Sequence, residues 1–293
     1  MFFYCRKQFD MTITICVCGA GTMGSGIAQV AAQSGFNTIL FDVNENALQN
    51  AKNFIKKNLQ YLIDKNKISV KEKENIFSRI QFVSDIKDCT GFVIIEAIIE
   101  KEEAKVALFN DLAKYNNEEV IFATNTSSLS VTSIQEKIIF PERVVGMHFF
   151  NPAYIMKLVE VVKGRQTIDE VTKTVFDICK QMGKNPIMCK DSPGFIVNRV
   201  ARQYYLESLK IVEEGIASYE EVDEILKATG FKMGPFQLMD LIGMDINLSV
   251  TQSMYKAFYN VKRFEPSPLQ IEKVKNNELG KKTGKGFYNY SHK

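Results

Sequence analysis

Two constellations in this sequence have the residue types and spacing to do chemistry. Gly19-Ala20-Gly21-Thr22-Met23-Gly24 fits the pattern GxGxxG, and Asp42 follows 23 residues after Gly19. A turn of this kind presents backbone N–H groups and the positive end of a helix to an anion, which suits a dinucleotide pyrophosphate. Gly19 permits the tight turn, Gly21 lets the backbone approach the pyrophosphate and Gly24 lets the helix close on the strand, with Thr22 and Met23 completing the loop. Asp42 would accept hydrogen bonds from the adenosine ribose hydroxyls. Its charge repels a 2′-phosphate, and Val43 and Asn44 offer no arginine to receive one, so the pattern selects NAD over NADP. A lone glycine turn is also common as a purely structural feature, so the weight rests on the elements around it.

The second constellation surrounds His148. The chain has two histidines, and the other, His292, stands near the chain end. Oxidation of an alcohol with NAD releases a hydroxyl proton as hydride leaves, and an imidazole suits that transfer at neutral pH. A lysine or a tyrosine remains an alternative acceptor. A zinc mechanism is poorly supported, because no cluster of Cys, His and carboxylate ligands is legible. Cys16 and Cys18 point the same way from a strand with no further Cys or His nearby, so they read as packing residues and no metal is expected. Glu160 lies in the apolar run 158–162, where an unpaired carboxylate is costly, and an imidazole is one candidate partner. In Asn125-Thr126-Ser127-Ser128 the hydroxyl of Ser127 could bind a substrate oxygen, although capping a helix that begins near Ser130 is the commoner use of such a segment.

These residues need elements to hold them. Residues 12–18 are β-rich and apolar on both faces, a helical spacing runs from the glycine turn to Gly35, and 37–42 reads as a second strand, giving a βαβ unit. The next strand, 80–83, lies too far on for one crossover helix, so two helices fill the gap, near 45–64 and 70–77. Strands at 92–98, 120–123 and 143–149 alternate with helical segments such as 102–115, as in a doubly wound α/β sheet. Residues 158–162 extend it, 168–182 form a further helix, and 186–189 a last strand. His148 and the 125–128 segment then fall at carboxyl ends of strands, where ligands bind in open α/β sheets. After Asp191, Ser192 and Pro193 read as an N-cap and first-turn proline, and periodicity stays helical to Lys275. The expected domains are 11–191, with a helical hairpin near 44–78, and an all-α 192–293.

Composition agrees with a folded globular protein. Hydrophobic residues are 45% and charged residues 24%, and the net charge of +3 is mixed along the chain, which leaves no footprint for nucleic acid. No apolar run approaches a membrane span. Six irregularly spaced cysteines do not make a disulfide scaffold and favour a reducing compartment. Residues 1–10 place apolar residues before charged ones, the reverse of a secretory signal, so Met11 reads as the functional start and the cytoplasm as the location.

Several segments resemble the 3-hydroxyacyl-CoA dehydrogenases, the bacterial 3-hydroxybutyryl-CoA dehydrogenases in particular. They are 19–28, 96–100, 125–129, Met147-His148-Phe149-Phe150-Asn151-Pro152, 156–161, Pro193-Gly194-Phe195-Ile196-Val197-Asn198-Arg199, Met233-Gly234-Pro235 and Gly284-Lys285-Gly286-Phe287-Tyr288. The likeness spans 12–290, and the His148 to Glu160 spacing and the Asn198 segment are far more specific than the glycine turn. It implies a Rossmann-type domain followed by an all-helical domain that closes the cleft and makes a homodimer. It also implies an NAD-dependent, short-chain acyl-CoA enzyme of fatty acid and butyrate metabolism.

By the same resemblance His148 is catalytic and paired with Glu160, while Ser127 and Asn198 contact the reacting oxygen or the histidine. Glu100 and Lys105 reach the nicotinamide half of NAD, and Lys52 and Lys56, on one face of the hairpin, meet the CoA phosphates. Two rivals keep the fold: a dehydrogenase of a free 3-hydroxy acid, which could not use the two lysines, and a non-catalytic NAD-binding structural protein. Tyr154 and Tyr204-Tyr205 depart from the family's usual residues and bear on acyl-chain preference. Gly280 to Gly286 has the wrong spacing for a phosphate loop.

Overall fold

The computed structural model describes residues 13–290. Thr12, Met11, Cys5, the rest of 1–10 and His292 lie outside the described residues. The chain divides into two compact units, one ending at Asp191 and the other beginning at Ser192.

The first unit runs β1 (Thr14–Cys18), α1 (Thr22–Gln33), β2 (Asn37–Phe41), α2 (Glu45–Asp64), α3 (Val70–Ser78), β3 (Ile80–Val83), β4 (Val93–Glu96), α4 (Glu102–Leu112), β5 (Ile121–Thr124), α5 (Val131–Gln135), β6 (Val144–Phe149), β7 (Leu158–Lys163), α6 (Asp169–Gln181) and β8 (Asn185–Lys190). One eight-stranded sheet has the order β3-β2-β1-β4-β5-β6-β7-β8. Neighbours are parallel except β6 and β7, which run antiparallel. The first six positions follow the Rossmann order 3-2-1-4-5-6, whose switch of direction at β1 and β4 opens the ligand crevice. β4 and β5 are buried along their whole length, which is why they read as continuous apolar runs rather than alternating ones.

Caps explain the two helices between β2 and β3. The Asn44 side chain accepts from the Asn46 and Ala47 N–H groups, starting α2, and Ser69 with Glu72 forms a capping box at α3. Leu48, Ala51, Ile55 and Leu59 make the buried stripe of α2. The strand expected at 92–98 is shorter, because after Glu96 the chain turns: Ile98 N–H donates to the Glu96 carboxylate at 2.8 Å.

The second unit contains α7 (Val197–Glu213), α8 (Tyr219–Ala228), α9 (Pro235–Ile242), α10 (Met244–Ala257) and α11 (Pro268–Lys275). Here two expectations are corrected. Ser192 and Pro193 are not the cap and first turn of a helix, since Gly194 and Phe195 take left-handed backbone, φ +70° and +48°, and α7 starts only at Val197. The unit is also not purely helical. Its last segment makes isolated bridges, Gly280 to Lys285 and Lys285 to Asn289, pinned where the buried Asp240 accepts from the Phe287 and Tyr288 N–H groups at 2.9 Å. Among the described residues no helix is long and apolar enough to cross a membrane.

Candidate active site

The glycine turn joins β1 to α1. Gly19 has φ +107°, and a Cβ there would lie 2.6 Å from the Ala97 carbonyl oxygen; a Cβ on Gly24 would lie 1.7 Å from that of Gly19. Both positions therefore require glycine to let turn, helix and β4 close together. Gly21 is different: a Cβ there would meet nothing within 4 Å, and as N-cap of α1 it gives no side-chain cap. Its surroundings are open, Thr22 is exposed, and the first-turn N–H groups of α1 are available to an anion. The turn thus fits a pyrophosphate. Asp42 stands just past β2, one carboxylate oxygen accepting from Ala20 N–H at 2.8 Å and the other from Asn44 N–H at 2.9 Å. These bonds hold the carboxylate beside the turn and leave lone pairs for ribose hydroxyls.

A buried charge network follows β4. Lys105, 1% exposed, lies 2.6 Å from Glu96 and 3.0 Å from Glu100. Glu96 also accepts from Thr124 Oγ1 at 2.7 Å, tying β4 to β5. Burial raises the Glu96 carboxyl above the ordinary range, more than Lys105 and the hydrogen bonds lower it. At Glu100 burial also works against the charge, but Lys105, Thr126 and the Ser127 backbone outweigh it and the carboxyl falls below its ordinary value. Glu100 accepts from Thr126 Oγ1 at 2.5 Å, Ser127 N–H at 2.9 Å and Ser128 N–H at 3.2 Å, so one carboxylate shapes the loop that carries Ser127. Ser127 Oγ itself lies 3.4 Å from it. Lys105 thus faces two carboxylates from inside, and Glu100 is the partly exposed member of the network.

Sequence spacing assigns no role to Glu96 or Thr124, although a charge inside an apolar strand is itself a signal. Helix capping near Ser130 is present, but by Ser130 on Ser133 N–H. Asn125, from the same loop, accepts from Phe149 N–H at 2.8 Å and so fixes the loop against the end of β6.

His148 and Glu160 are register partners in the antiparallel β6–β7 pair. Directly opposed residues share a face, and His148 Nδ1 lies 2.8 Å from Glu160 Oε2 with both residues buried. The Phe150 ring packs on the imidazole, centroids 4.5 Å apart. A carboxylate in this position fixes the ring and favours the tautomer with hydrogen on Nδ1, which puts the basic lone pair on Nε2.

Lys52 and Lys56 lie on α2 with their ammonium groups 5.0 Å from the rings of Phe82 and Phe77 respectively. Asn198 is the second residue of α7, in the helical unit. Tyr154 packs edge-on to Phe54 at 5.8 Å, and Tyr204 stacks on Phe231 and donates to the Met233 carbonyl at 2.9 Å. One expectation is corrected: Cys16 and Cys18 do have a neighbouring thiol. The turn before β4 brings Cys89 to them, the three sulfurs all within 4.8 Å of one another, a proximity that parallel pairing of β1 with β4 creates and linear sequence hides.

The family model described as "3-hydroxyacyl-CoA dehydrogenase, NAD binding domain" matches residues 14–192, and "3-hydroxyacyl-CoA dehydrogenase, C-terminal domain" matches 194–290. A 3-hydroxyadipyl-CoA dehydrogenase of Escherichia coli K12 is 44% identical over 279 residues, 94% of this chain; the chain spans 59% of that relative's length. A probable 3-hydroxybutyryl-CoA dehydrogenase of Bacillus subtilis is 39% identical over 281 residues, covering 95% of this chain and 98% of that one. The crystal structure of (S)-3-hydroxybutyryl-CoA dehydrogenase from Ralstonia eutropha superposes with a TM-score of 0.91 at 38% identity, covering 95% of this chain and 99% of that one.

Proposed function

The chain belongs to the 3-hydroxyacyl-CoA dehydrogenase family, with NAD as the family's cofactor, and from that membership we propose that it interconverts (S)-3-hydroxyacyl-CoA and 3-oxoacyl-CoA. The observation that carries the reading is the buried His148–Glu160 pair at 2.8 Å. NAD, when bound, supplies the hydride acceptor for C3 of the substrate, and its reduced form the donor. Gly19, Gly21, Thr22, Met23 and Gly24 hold the pyrophosphate, and Asp42 the adenosine ribose. Glu100, braced by Lys105, orders the loop toward the nicotinamide half.

In oxidation His148 Nε2 takes the hydroxyl proton while Glu160 stabilises the imidazolium through Nδ1–H, without itself taking the proton. In reduction the imidazolium returns that proton to the alkoxide oxygen. Ser127 and Asn198 contact the reacting oxygen or the histidine. Lys52 and Lys56 receive CoA phosphates, a role in which their aromatic supports limit the motion of two long side chains. Short acyl chains are favoured by the names of the B. subtilis and R. eutropha relatives, whereas that of the E. coli relative specifies an acyl chain ending in a second carboxylate.

The helical unit pairs two chains. The support is its exposed apolar side chains on α7, α9 and α10, among them Val200, Leu241, Ile242 and Ile246. A reducing, cytoplasmic setting agrees with five free cysteines among the described residues. The test is NADH consumption with acetoacetyl-CoA beside free acetoacetate. The expected result is turnover of the thioester alone, lowered on the order of 10² to 10⁴-fold in kcat by His148→Gln with NAD affinity little changed. A loss below tenfold would remove His148 from the reaction, and equal use of the free acid would remove the CoA ester.

A further inference from the structure

The connection between β6 and β7, residues 150–157, touches three parts of the sheet unit while lying outside any helix or strand. Phe150 packs on the His148 imidazole, and Tyr154 meets Phe54 of α2 edge-on at 5.8 Å. Ala153 lies so near α1 that a Cβ on Gly26 would stand 3.2 Å from its own. One irregular segment thus joins the acid-base pair, the helix that carries Lys52 and Lys56, and the helix that follows the glycine turn.

The backbone bonds inside the segment form one tight turn, in which Ile155 and Met156 N–H donate to the Pro152 carbonyl at 3.0 and 2.9 Å. Two further carbonyls converge on a single side chain. Lys184 Nζ lies 2.5 Å from the carbonyl oxygen of Ala153, which is 2% exposed, and 2.8 Å from that of Met156. Lys184 is buried too, and its own backbone is fixed. Gly183 has φ +67° and Lys184 N–H donates to the Cys179 carbonyl at 3.0 Å, a left-handed ending of α6, after which Asn185 N–H donates to the Lys157 carbonyl at 2.8 Å as β8 begins.

A buried carbonyl requires a donor, and an ammonium can serve two at once with bonds stronger than those of a neutral group. Among the described residues no carboxylate pairs with this one. Burial depresses the ammonium to about 8, Lys157 just before β7 lowers it further, and the Cys179 thiol of α6 acts the other way. We propose that Lys184 is a positioning residue for the dehydrogenase reaction: it fixes the 150–157 connection and so holds His148, α1 and α2 in one arrangement, with the imidazole placed for a thioester whose CoA end rests on Lys52 and Lys56. This rests on the dehydrogenase reading and adds to it a group that touches neither substrate nor cofactor.

Lys184→Met in the full chain keeps the stem and removes the donors. NADH titration by fluorescence counts the folded sites, and kcat with acetoacetyl-CoA is expressed per site. That kcat should fall by about 10- to 10²-fold, the scale of a small misplacement of reacting groups, while NADH affinity changes by less than about threefold. Lys184→Arg, whose fork can span both carbonyls, should recover most of the loss. The pH profile supplies a reading that needs no variant. In oxidation of (S)-3-hydroxybutyryl-CoA, deprotonation of His148 raises the rate with pH, so the decline expected above about pH 8 reports loss of the Lys184 proton, and both variants should lack it. If Lys184→Met binds no NADH, the wild-type profile decides. A wild-type rate that shows no decline up to about pH 9, or a decline that the variants retain, would overturn the assignment. So would a per-site kcat in Lys184→Met within about threefold of the wild type, since the lysine would then support the fold alone. A wild type that turns over neither thioester would instead sink the dehydrogenase reading, and this inference with it.

Discussion

Replacing Lys105 by methionine keeps most of the side chain's bulk and removes the cation between Glu96 and Glu100. At 2.6 Å and 3.0 Å the bare attractions are about 6 kcal/mol each at an effective dielectric constant of ~20. Most of that is offset by the desolvation of three charges, and the Glu100 share is screened because its side chain is 37% exposed. Losing one partner of a buried pair costs about 3 to 5 kcal/mol, and that is the expected destabilisation at pH 7 to 8. Glu96 is the reason. Its carboxyl already lies above the ordinary range through burial, and without Lys105 it rises further.

The sign of the pH dependence follows. A carboxyl whose folded value is raised binds a proton in the native state where the unfolded chain has released it, so stability falls as pH rises from the ordinary glutamate range to the folded value. The deficit of the variant should therefore shrink toward pH 5. Adding Glu96→Gln should recover about 2 kcal/mol or more, since the amide oxygen in the Oε1 position still accepts from Ile98 N–H, its N–H₂ group in the other position donates to the Thr124 hydroxyl, and the orphan charge is gone. The protein has no tryptophan, so urea unfolding is followed by far-UV circular dichroism. If two transitions separate, the one that NAD shifts belongs to the sheet unit. A deficit under 1 kcal/mol at pH 8, or one that neither acid nor Glu96→Gln relieves, would refute the account.

Other expectations test the remaining groups. Glu160→Gln should lower kcat with acetoacetyl-CoA by about 10² to 10⁴-fold and the unfolding midpoint little, because the amide keeps shape but loses the charge that favours imidazolium; full activity would leave Glu160 a structural role. Asp42→Ala should weaken NADH binding, read by fluorescence titration, and narrow its preference over NADPH; unchanged discrimination would count against the ribose assignment. Charge reversal of Lys52 and Lys56 to Glu should raise KM for acetoacetyl-CoA, spare KM for NADH and flatten the salt dependence of the former. A pantetheine thioester without nucleotide phosphates should not respond to that change, and equal losses with both thioesters would make the lysines surface residues.

What could be read from the chain was set by sequence distance. The glycine turn, α1 and Asp42 fall within one βαβ unit, where glycine spacing and helical periodicity are local signals, and α2 and α3 were required by the length of the gap before β3. Strand neighbours are not local. Glu96 meets Thr124 and Cys16 meets Cys89 only because β4 lies between β1 and β5. Lys184 carries no local signal either, since a lysine just past a helix normally projects to water, and its burial against the Ala153 and Met156 carbonyls comes from the pairing of β7 with β8. The late start of α7 has another cause: Ser-Pro opens turns as readily as helices, and the left-handed Gly194 and Phe195 decide between them.

The strand reversal at β7 explains why Glu160 is where it is. Parallel neighbours require a crossover of a dozen or more residues, so a partner only 12 positions after His148 could not face it from a parallel strand. The turn through 150–157 brings β7 back antiparallel, and the register sets Glu160 against His148. Both side chains then stand on paired backbone ladders rather than on loops, and Phe150, just beyond β6, closes over the imidazole. Slipping β7 by one residue would turn Glu160 to the opposite face and put Val159 or Val161 beside His148. Val159 and Val161 are buried in the core cluster on the other face, where a slipped Glu160 would be a buried charge without a partner, so packing of the sheet and orientation of the imidazole depend on the same register.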